Sequence, residues 1–184
     1  MRAWVVAAGL IEGPPGADVP GLLLVQNRRR DGRLDWSPPG GVVEVEAGES
    51  VVDGLTREVE EETGIRVTRW DGPVYDVEAE APDQGWQLRV EVFVARAFEG
   101  ELRVDDPDGI VVDARFVPLD ACALQLEEAH LFVREPVTTW LSERHVEPRS
   151  HRYRVEGRRL SALQVVRLSE PASDPSALSD PGTP

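Results

Sequence analysis

Apolar and polar residues alternate most clearly in residues 86–99, where Leu88, Val90, Val92 and Val94 occupy every second position. A period of two predicts a strand with one buried face. Near the start of the chain, two apolar runs flank a Gly- and Pro-rich loop, which predicts a hairpin with a long connection. The strands that these patterns predict cover residues 5–12, 22–26, 65–80, 86–99 and 114–118.

Helical spacing of apolar residues is clearest in residues 50–63. Ser50 can cap the first turn of this helix, and Gly64 is placed to end it. The order of strands, one helix, more strands and further helices predicts an α+β layered domain. The later predicted elements are helices at residues 119–128 and 131–143, with Pro136 limiting or kinking the second, and a hairpin of residues 153–155 and 163–168.

The length of the chain bounds its domain organisation. It has 184 residues, of which 41% are hydrophobic, and this is enough for one sizeable core. We therefore predict a single domain over residues 1–168, in which residues 144–168 form a C-terminal extension. Residues 169–184 are rich in Ser, Pro, Ala and Asp, and this composition predicts a disordered tail.

The first apolar segment bears on where the protein resides. Residues 3–11 follow Arg2, so a short signal peptide is an alternative to a buried strand, but no small-residue cleavage site follows. Cys122 is the only cysteine and cannot form an internal disulfide, as is typical of a reducing cytoplasm. We therefore expect a cytoplasmic protein, and no apolar run is long enough to predict a membrane partner.

The net charge of -14 and the sequence pI near 4.6 make a broad attraction for nucleic acid or an anionic membrane surface unfavourable. A small polyanionic substrate would need a local source of positive charge. A divalent metal is one source. The other is the basic stretch of residues 144–159, with six arginines against two glutamates, which is also suited to docking on the acidic body.

Residues 35–41 read DWSPPGG and are predicted to form a loop, because two prolines prevent regular ladder pairing. Its two glycines permit a close approach of backbone. Trp36 could stack on a nucleobase, although an aromatic residue beside such a loop more often fills core. Arg28 and Arg30 precede the loop, where they could clasp a phosphate or form part of a solvated turn.

Glu58, Glu61 and Glu62 share one sector of the predicted helix, at the edge of its apolar stripe. Three adjacent carboxylates repel one another unless a cation lies among them. Hard oxygen ligands suit Mg²⁺ or Mn²⁺, and no histidine or cysteine lies nearby to indicate zinc. The alternative is a solvated acidic helix with pairs such as Arg57 and Glu61.

Residues 40–65 read GGVVEVEAGESVVDGLTREVEEETGI, and this stretch resembles the Nudix box. In that motif a glycine precedes a glutamate, and seven residues then lead to Arg-Glu-apolar-x-Glu-Glu-x-Gly-apolar. Every fixed position from Glu49 to Ile65 matches. Gly41 stands eight positions before Glu49 instead of six, so the loop between them holds two extra residues, which loops tolerate.

The resemblance covers residues 3–143. It implies a Nudix-like α/β/α sandwich with a mixed central sheet and the catalytic loop and helix at residues 39–64. Arg57 would orient the carboxylates, and Asp106 would join them from a later acidic loop that is otherwise an ordinary turn. The implied site comprises catalytic Arg57, Glu58, Glu61 and Glu62; metal ligands Gly41, Glu58, Glu61, Glu62 and Asp106; supporting Glu49; and substrate-binding Arg28, Arg30 and Trp36.

The family also implies an activity. Its members use Mg²⁺ or Mn²⁺ to hydrolyse a pyrophosphate bond in a nucleoside diphosphate linked to another moiety, and bound metal neutralises charge and lowers the pKa of a water. We therefore expect a nucleotide-type substrate, such as a nucleoside triphosphate or ADP-ribose, and a homodimer is compatible with the family. The alternative is a non-catalytic Nudix-fold module that binds a nucleotide or ADP-ribose as a regulator, a class that loss of the box carboxylates would mark.

Overall fold

The computed structural model describes residues 1–13, 20–158 and 163–169. Residues 14–19 of the predicted Gly- and Pro-rich loop, and residues 170–184 of the predicted disordered tail, therefore lie outside the described residues. The helices are α1 (Val51–Thr63), α2 (Cys122–Gln125) and α3 (Leu131–Glu143). The strands are β1 (Arg2–Leu10), β2 (Glu12–Gly13), β3 (Gly21–Arg28), β4 (Leu34–Ser37), β5 (Gly40–Val42), β6 (Arg66–Ala81), β7 (Trp86–Glu99), β8 (Val111–Pro118), β9 (Arg149–Glu156) and β10 (Gln164–Leu168).

These strands form two sheets. The larger has the order β10-β9-β6-β7-β1-β5, and the smaller is built on β3, which pairs with β2, β4 and β8. Pairing of β1 with β7 and of β6 with β9 is parallel, whereas every other pair is antiparallel, so the larger sheet is mixed. The predicted strands are confirmed, and residues 5–12 divide between β1 and β2, of which β2 forms the predicted hairpin with β3.

The helices cover opposite faces of the sheets. Leu55 and Val59 of α1 pack with Ala7, Leu23 and other apolar residues in one hydrophobic cluster. The alternate residues of β1 and β3 point the other way, into a second cluster that includes α2 and α3. This arrangement is the predicted α+β sandwich, with a mixed sheet layer between helices.

Helix α1 begins and ends where the sequence predicts. Ser50 adopts an extended conformation, and its hydroxyl accepts a hydrogen bond from the amide of Asp53 at 3.2 Å. Gly64 ends the helix in the left-handed conformation with φ of 70°, which favours glycine. Its two termini fix the position of the glutamates between them.

Two predictions of local structure need correction. Residues 35–41 are not a loop throughout, because Asp35 to Ser37 pair with β3 and Gly40 to Val42 pair with β1. Only the two prolines between these segments lie outside the ladders. The helix predicted at residues 119–128 is a 3₁₀ turn followed by the four-residue α2, and residues 126–128 form a turn.

Residues 144–168, for which the sequence predicts a C-terminal extension, contribute β9 and β10 to the edge of the larger sheet. Its arginines pair with acidic residues of β6: Arg152 contacts Glu78 at 3.2 Å, and Arg154 contacts Glu80 at 2.7 Å. The interpretation that the basic stretch docks on the acidic body is therefore confirmed for these described residues. Of the helices in the described ranges, none combines the length and apolar composition that a membrane span needs.

His151 of β9 is a buried titratable residue opposite Val77 of β6. Its side chain is 3% exposed, and neither ring nitrogen has a hydrogen-bond partner among the described residues. Burial lowers the pKa of His151 below its usual value of 6.5, and the charge of Arg167 lowers it further. The unfolded chain therefore binds a proton more readily than the folded protein does.

We expect the free energy of unfolding to fall as the pH drops from 7 through 6.5 toward the lowered pKa, because His151 must then hold a buried charge. His151→Phe should reduce this loss, since phenylalanine keeps the edge-to-face packing on Tyr75 without titrating. Urea unfolding at pH 7.5 and pH 5.5 measures the effect. An unchanged pH dependence in the variant would contradict it.

Candidate active site

Arg57 lies at the centre of the acidic cluster on α1. Its guanidinium donates hydrogen bonds to Glu49 at 2.9 Å, to Glu58 at 2.8 Å and to Glu61 at 3.2 Å. It also reaches the carbonyl oxygen of Val42 at 3.4 Å. One side chain thus ties the loop after β5 to the helix and sets the orientation of three carboxylates.

Glu49 supports this arrangement from the loop. Its Oε2 accepts a hydrogen bond from the amide of Glu44 at 2.8 Å, and a Cβ on Gly54 would come within 2.8 Å of the same oxygen. Hydrogen bonds from Arg57 and then from the Glu44 amide hold the pKa of Glu49 below its ordinary value. The carboxylate is therefore ionised and acts as a fixed partner for Arg57.

The two extra residues of the loop do not disturb this contact. Val45–Ala47 form a 3₁₀ turn with no buried residue, and Gly48 closes it with φ of 84°. Beyond this turn Glu49 still accepts a hydrogen bond from Arg57 at 2.9 Å, although the spacing from Gly41 differs from that of the box.

Glu62 is the most buried of the three box glutamates, with 9% exposure. Its Oε2 accepts a hydrogen bond from the amide of Gly40 at 2.9 Å. Burial, together with the charges of Glu58, Asp106 and Glu61, raises the pKa of Glu62 to about 8. Burial also raises the pKa of Glu58, against the opposing effect of Arg57.

Gly40 and Gly41 bring backbone into contact with these carboxylates. A Cβ on Gly40, whose φ is 144°, would lie 2.2 Å from the carbonyl oxygen of Ala7. A Cβ on Gly41 would lie 2.3 Å from Oε2 of Glu58. Only glycine allows the loop to lie this close to β1 and to the helix.

The acidic loop before β8 faces α1. The carboxylate of Asp106 accepts hydrogen bonds from the amides of Ile110 at 2.7 Å and Val111 at 2.8 Å, so it stabilises its own turn. The charge of Asp106 nevertheless raises the pKa of Glu62, and that of Asp108 raises the pKa of Glu58. Asp106 therefore lies near the cluster, and its role as a metal ligand stays a prediction.

The donor set fits a hard divalent cation. Several carboxylates are crowded, two are partly or largely buried with raised pKa values, and a cation among them would relieve both costs. In the described residues no three acidic, histidine or cysteine side chains converge on one point as ligands do. Two of the box glutamates, Glu58 and Glu61, are instead bound to Arg57.

The predicted substrate-binding residues lie on β3, on β4 and in the turn between them. Arg28 and Arg30 are exposed, and neither pairs with an acidic residue in the described part of the chain. Trp36 is 7% exposed in the core, with the guanidinium of Arg115 stacked 4.6 Å from its ring centroid. The structure thus places Trp36 where an aromatic core residue belongs, and the role of the three residues in substrate binding stays a prediction.

A cavity of about 390 Å³ opens beside Gly40, and sequence reasoning did not find it. We call it the Gly40 cavity. The period-two pattern of β7 predicted that the apolar residues in this wall of the cavity would be buried. It did not predict that α3 leaves a space above them. Its polar lining includes Asn27, Arg29, Ser37 and His130, together with Tyr75. A second cavity of about 410 Å³, beside Glu78 and Arg152, includes none of the box glutamates.

Comparison with known proteins agrees with this geometry. The chain is similar to a MutT Nudix hydrolase from Burkholderia pseudomallei, with 28% identity, a TM-score of 0.55, and coverage of 71% of this chain and 100% of that chain. A mutator MutT protein from Bacillus halodurans is 22% identical, with a TM-score of 0.58 and coverage of 91% and 99%. The NUDIX domain of Shewanella oneidensis NrtR, solved with ADP ribose, is 18% identical, with a TM-score of 0.62 and coverage of 78% and 89%.

The last two likenesses, being under 25% identical, show the fold alone. No curated protein matches the chain. The NUDIX domain family model matches residues 3–141, which is well over half of the sequence and includes α1, its loop and the acidic turn. Because the family model and the site coincide, the chain belongs to the NUDIX domain family and is a Nudix hydrolase, one of the pyrophosphohydrolases.

Proposed function

We propose that this chain hydrolyses a pyrophosphate bond in a nucleoside diphosphate linked to another moiety, such as a nucleoside triphosphate or ADP-ribose. The products are a nucleoside monophosphate and the other phosphorylated half, or pyrophosphate from a triphosphate. The observation that carries the proposal is the acidic cluster of α1, in which Arg57 orients the carboxylates and Glu62 is buried against the Gly40 amide.

The cofactor in this proposal is Mg²⁺, or Mn²⁺ in its place. Glu58, Glu61 and Glu62 would hold it, joined by the carbonyl of Gly41 and by Asp106. When bound, the metal supplies positive charge to the pyrophosphate and lowers the pKa of a water. The chain is strongly acidic overall, so this local charge is what permits a polyanionic substrate to approach.

The protein side chains contribute positioning. Arg57 keeps Glu58 and Glu61 on one side of the helix, and Glu49 fixes Arg57 in turn. Glu62 is held by the Gly40 amide, which also places that part of the loop against the helix. Such preorganisation lets carboxylates act without paying for rearrangement during reaction.

A binding module is the second candidate, because a NUDIX domain from NrtR was solved in complex with ADP ribose. A module of that kind would recognise a nucleotide without cleaving it. All the box carboxylates are present in this chain, which favours hydrolysis. The distinguishing measurement is formation of the nucleoside monophosphate from nucleoside triphosphates, ADP-ribose and nucleotide sugars with Mg²⁺ or Mn²⁺. Binding without cleavage would support the module.

Glu62→Gln should stabilise the metal-free protein at neutral pH. The raised pKa of about 8 means that the folded state keeps a proton which the unfolded chain releases near pH 4.5, so stability falls as the pH rises between these values. Glutamine keeps the acceptor for Gly40 and never ionises. We expect a gain on the order of 3 kcal/mol at pH 7 and little gain at pH 4, by thermal unfolding in a chelator.

The same variant should no longer be stabilised by added metal. Its kcat should fall by more than roughly 100-fold, because loss of a metal ligand lowers activity more than loss of a residue that only supports the ligands. Glu60→Gln is the matched control, because Glu60 is exposed on the same helix. Equal Mg²⁺ stabilisation in Glu62→Gln and wild type would argue against a metal at this carboxylate.

Arg57→Lys should lower kcat by about 10- to 100-fold with a smaller change in KM, because lysine cannot contact Glu49 and Glu58 together. Arg96→Lys serves as control, since Arg96 pairs with Asp71 on the surface. Steady-state kinetics on the preferred substrate measures both parameters. Activity at the wild-type level in Arg57→Lys would contradict the orienting role proposed for Arg57.

A further inference from the structure

A cleft of about 390 Å³ lies at the C-terminal end of α1. We call it the Arg103 cleft, and it is lined by Glu60, Glu61, Gly64, Arg103, Asp105 and Pro107. Glu61 is one of the three box glutamates, so the cleft borders the acidic cluster directly. Among the described residues, none lines both this cleft and the Gly40 cavity. Phosphates held at the acidic cluster would therefore have this cleft beside them.

Arg103 lies in the segment between β7 and β8, outside the pattern of the box, and it is fixed to the end of the helix. Its amide donates a hydrogen bond to the carbonyl oxygen of Thr63 at 2.9 Å. A Cβ on Gly64 would lie 2.6 Å from Cγ of Arg103 and 3.1 Å from its Nε. The stem of the side chain therefore lies directly on the last turn of α1, in space that only glycine leaves open.

The guanidinium of Arg103 is the one basic group in the described lining of the cleft. Three carboxylates line the same cleft, yet in the described part of the chain Arg103 pairs with none of them. Arg57, by contrast, is bound to Glu58 and Glu61. The N–H donors of Arg103 are therefore available to a ligand that enters from solvent.

The chemistry of the lining indicates what kind of group the cleft can hold. Pro107 is the one apolar side chain among the described lining residues, and no aromatic side chain is present there. A base or a sugar ring would bury little apolar area against such walls. A guanidinium matches two oxygens of a phosphate with parallel N–H donors. The cleft therefore fits a compact anion better than a ring.

The charge of the cleft sets a condition on that anion. Glu60, Glu61 and Asp105 outnumber the single arginine, so without a cation the cleft repels a phosphate. In the proposed function a divalent cation neutralises Glu61. A phosphate in the cleft should thus need both the metal and Arg103, and its binding should be lost when either is removed.

We propose that Arg103 is a specificity determinant which binds the terminal phosphate of a nucleoside triphosphate in the Arg103 cleft. This inference rests on the proposed function, because it assumes that the pyrophosphate bond to be cleaved lies at the carboxylates of α1. ADP-ribose has an uncharged ribose in place of the terminal phosphate. Arg103 therefore favours triphosphates over nucleotides that are linked to a sugar.

The first test measures binding without cleavage. Imidodiphosphate, whose bridging nitrogen resists hydrolysis, is titrated into the protein with Mg²⁺ and again in a chelator, and binding is followed by calorimetry. We expect Arg103→Gln to bind imidodiphosphate with Mg²⁺ about 3- to 10-fold more weakly than wild type, as loss of one exposed charged contact does. Arg69→Gln is the matched control, because Arg69 is exposed on β6 and does not line the cleft.

A purely structural role for Arg103 gives a different result. If its charge only offsets the carbonyl groups at the end of α1, Arg103→Gln should unfold at a lower temperature and keep its affinity for imidodiphosphate. Unchanged affinity in Arg103→Gln, an equal loss in Arg69→Gln, binding as tight in the chelator as with Mg²⁺, or no binding to wild type would overturn the inference.

The second test compares wild type and Arg103→Gln on a nucleoside triphosphate and on ADP-ribose, both with Mg²⁺. We expect KM for the triphosphate to rise about 3- to 10-fold with little change in kcat. The constant for ADP-ribose, which is KM or, if it is not cleaved, its inhibition constant, should stay unchanged. Arg103→Lys should recover part of the loss, because lysine keeps the charge without the two-point contact.

This comparison also separates the inference from the proposed function. Wild type that cleaves no pyrophosphate bond in either substrate would refute the proposed function. An active wild type would refute only the role of Arg103 in three cases: the triphosphate is neither bound nor cleaved, both constants rise equally in Arg103→Gln, or neither constant changes.

Discussion

The contact of one guanidinium with three carboxylates is the interaction on which the rest of the site depends. Arg57 reaches Glu49 in the loop and Glu58 and Glu61 in the helix, and these partners would repel one another without it. Its hydrogen bond to Glu49 is the chief reason that its own pKa is raised. A permanently charged, planar group with five donors can hold this geometry, and the geometry defines where the helix carboxylates point.

Gly40 lies between the carboxylates of α1 and the Gly40 cavity. The strand that contains it pairs with β1, whose Val6 and Ala8 line the Gly40 cavity. On the other side the Gly40 amide holds Glu62. Because the residue has no side chain, its backbone alone separates the two regions.

Much of the fold and of the charged site could be predicted because the signals are local. Ser50 and Gly64 mark the ends of α1, and spacing along that helix places Glu58, Glu61 and Glu62 together. The cavity could not be predicted, since Tyr75 and Asn27 are far apart in sequence and meet only after both sheets form. The pairing of Asp35 to Ser37 with β3 was not predicted, because Pro38 and Pro39 indicated a loop throughout residues 35–41. Short ladders in fact lie on either side of the two prolines.

The pairing of β9 with β6 changes which backbone groups remain at the margin of the larger sheet. β9 pairs with Tyr75 to Glu80 of the sixteen-residue β6, and without it the outward amides and carbonyls of these residues would be free for another chain to join. Beside this part of β6 the described strands end at β10, which has five residues and carries the charged Arg167. Pairing of β9 with β6 thus shortens the edge to which another chain could add, at a place remote from the carboxylates of α1.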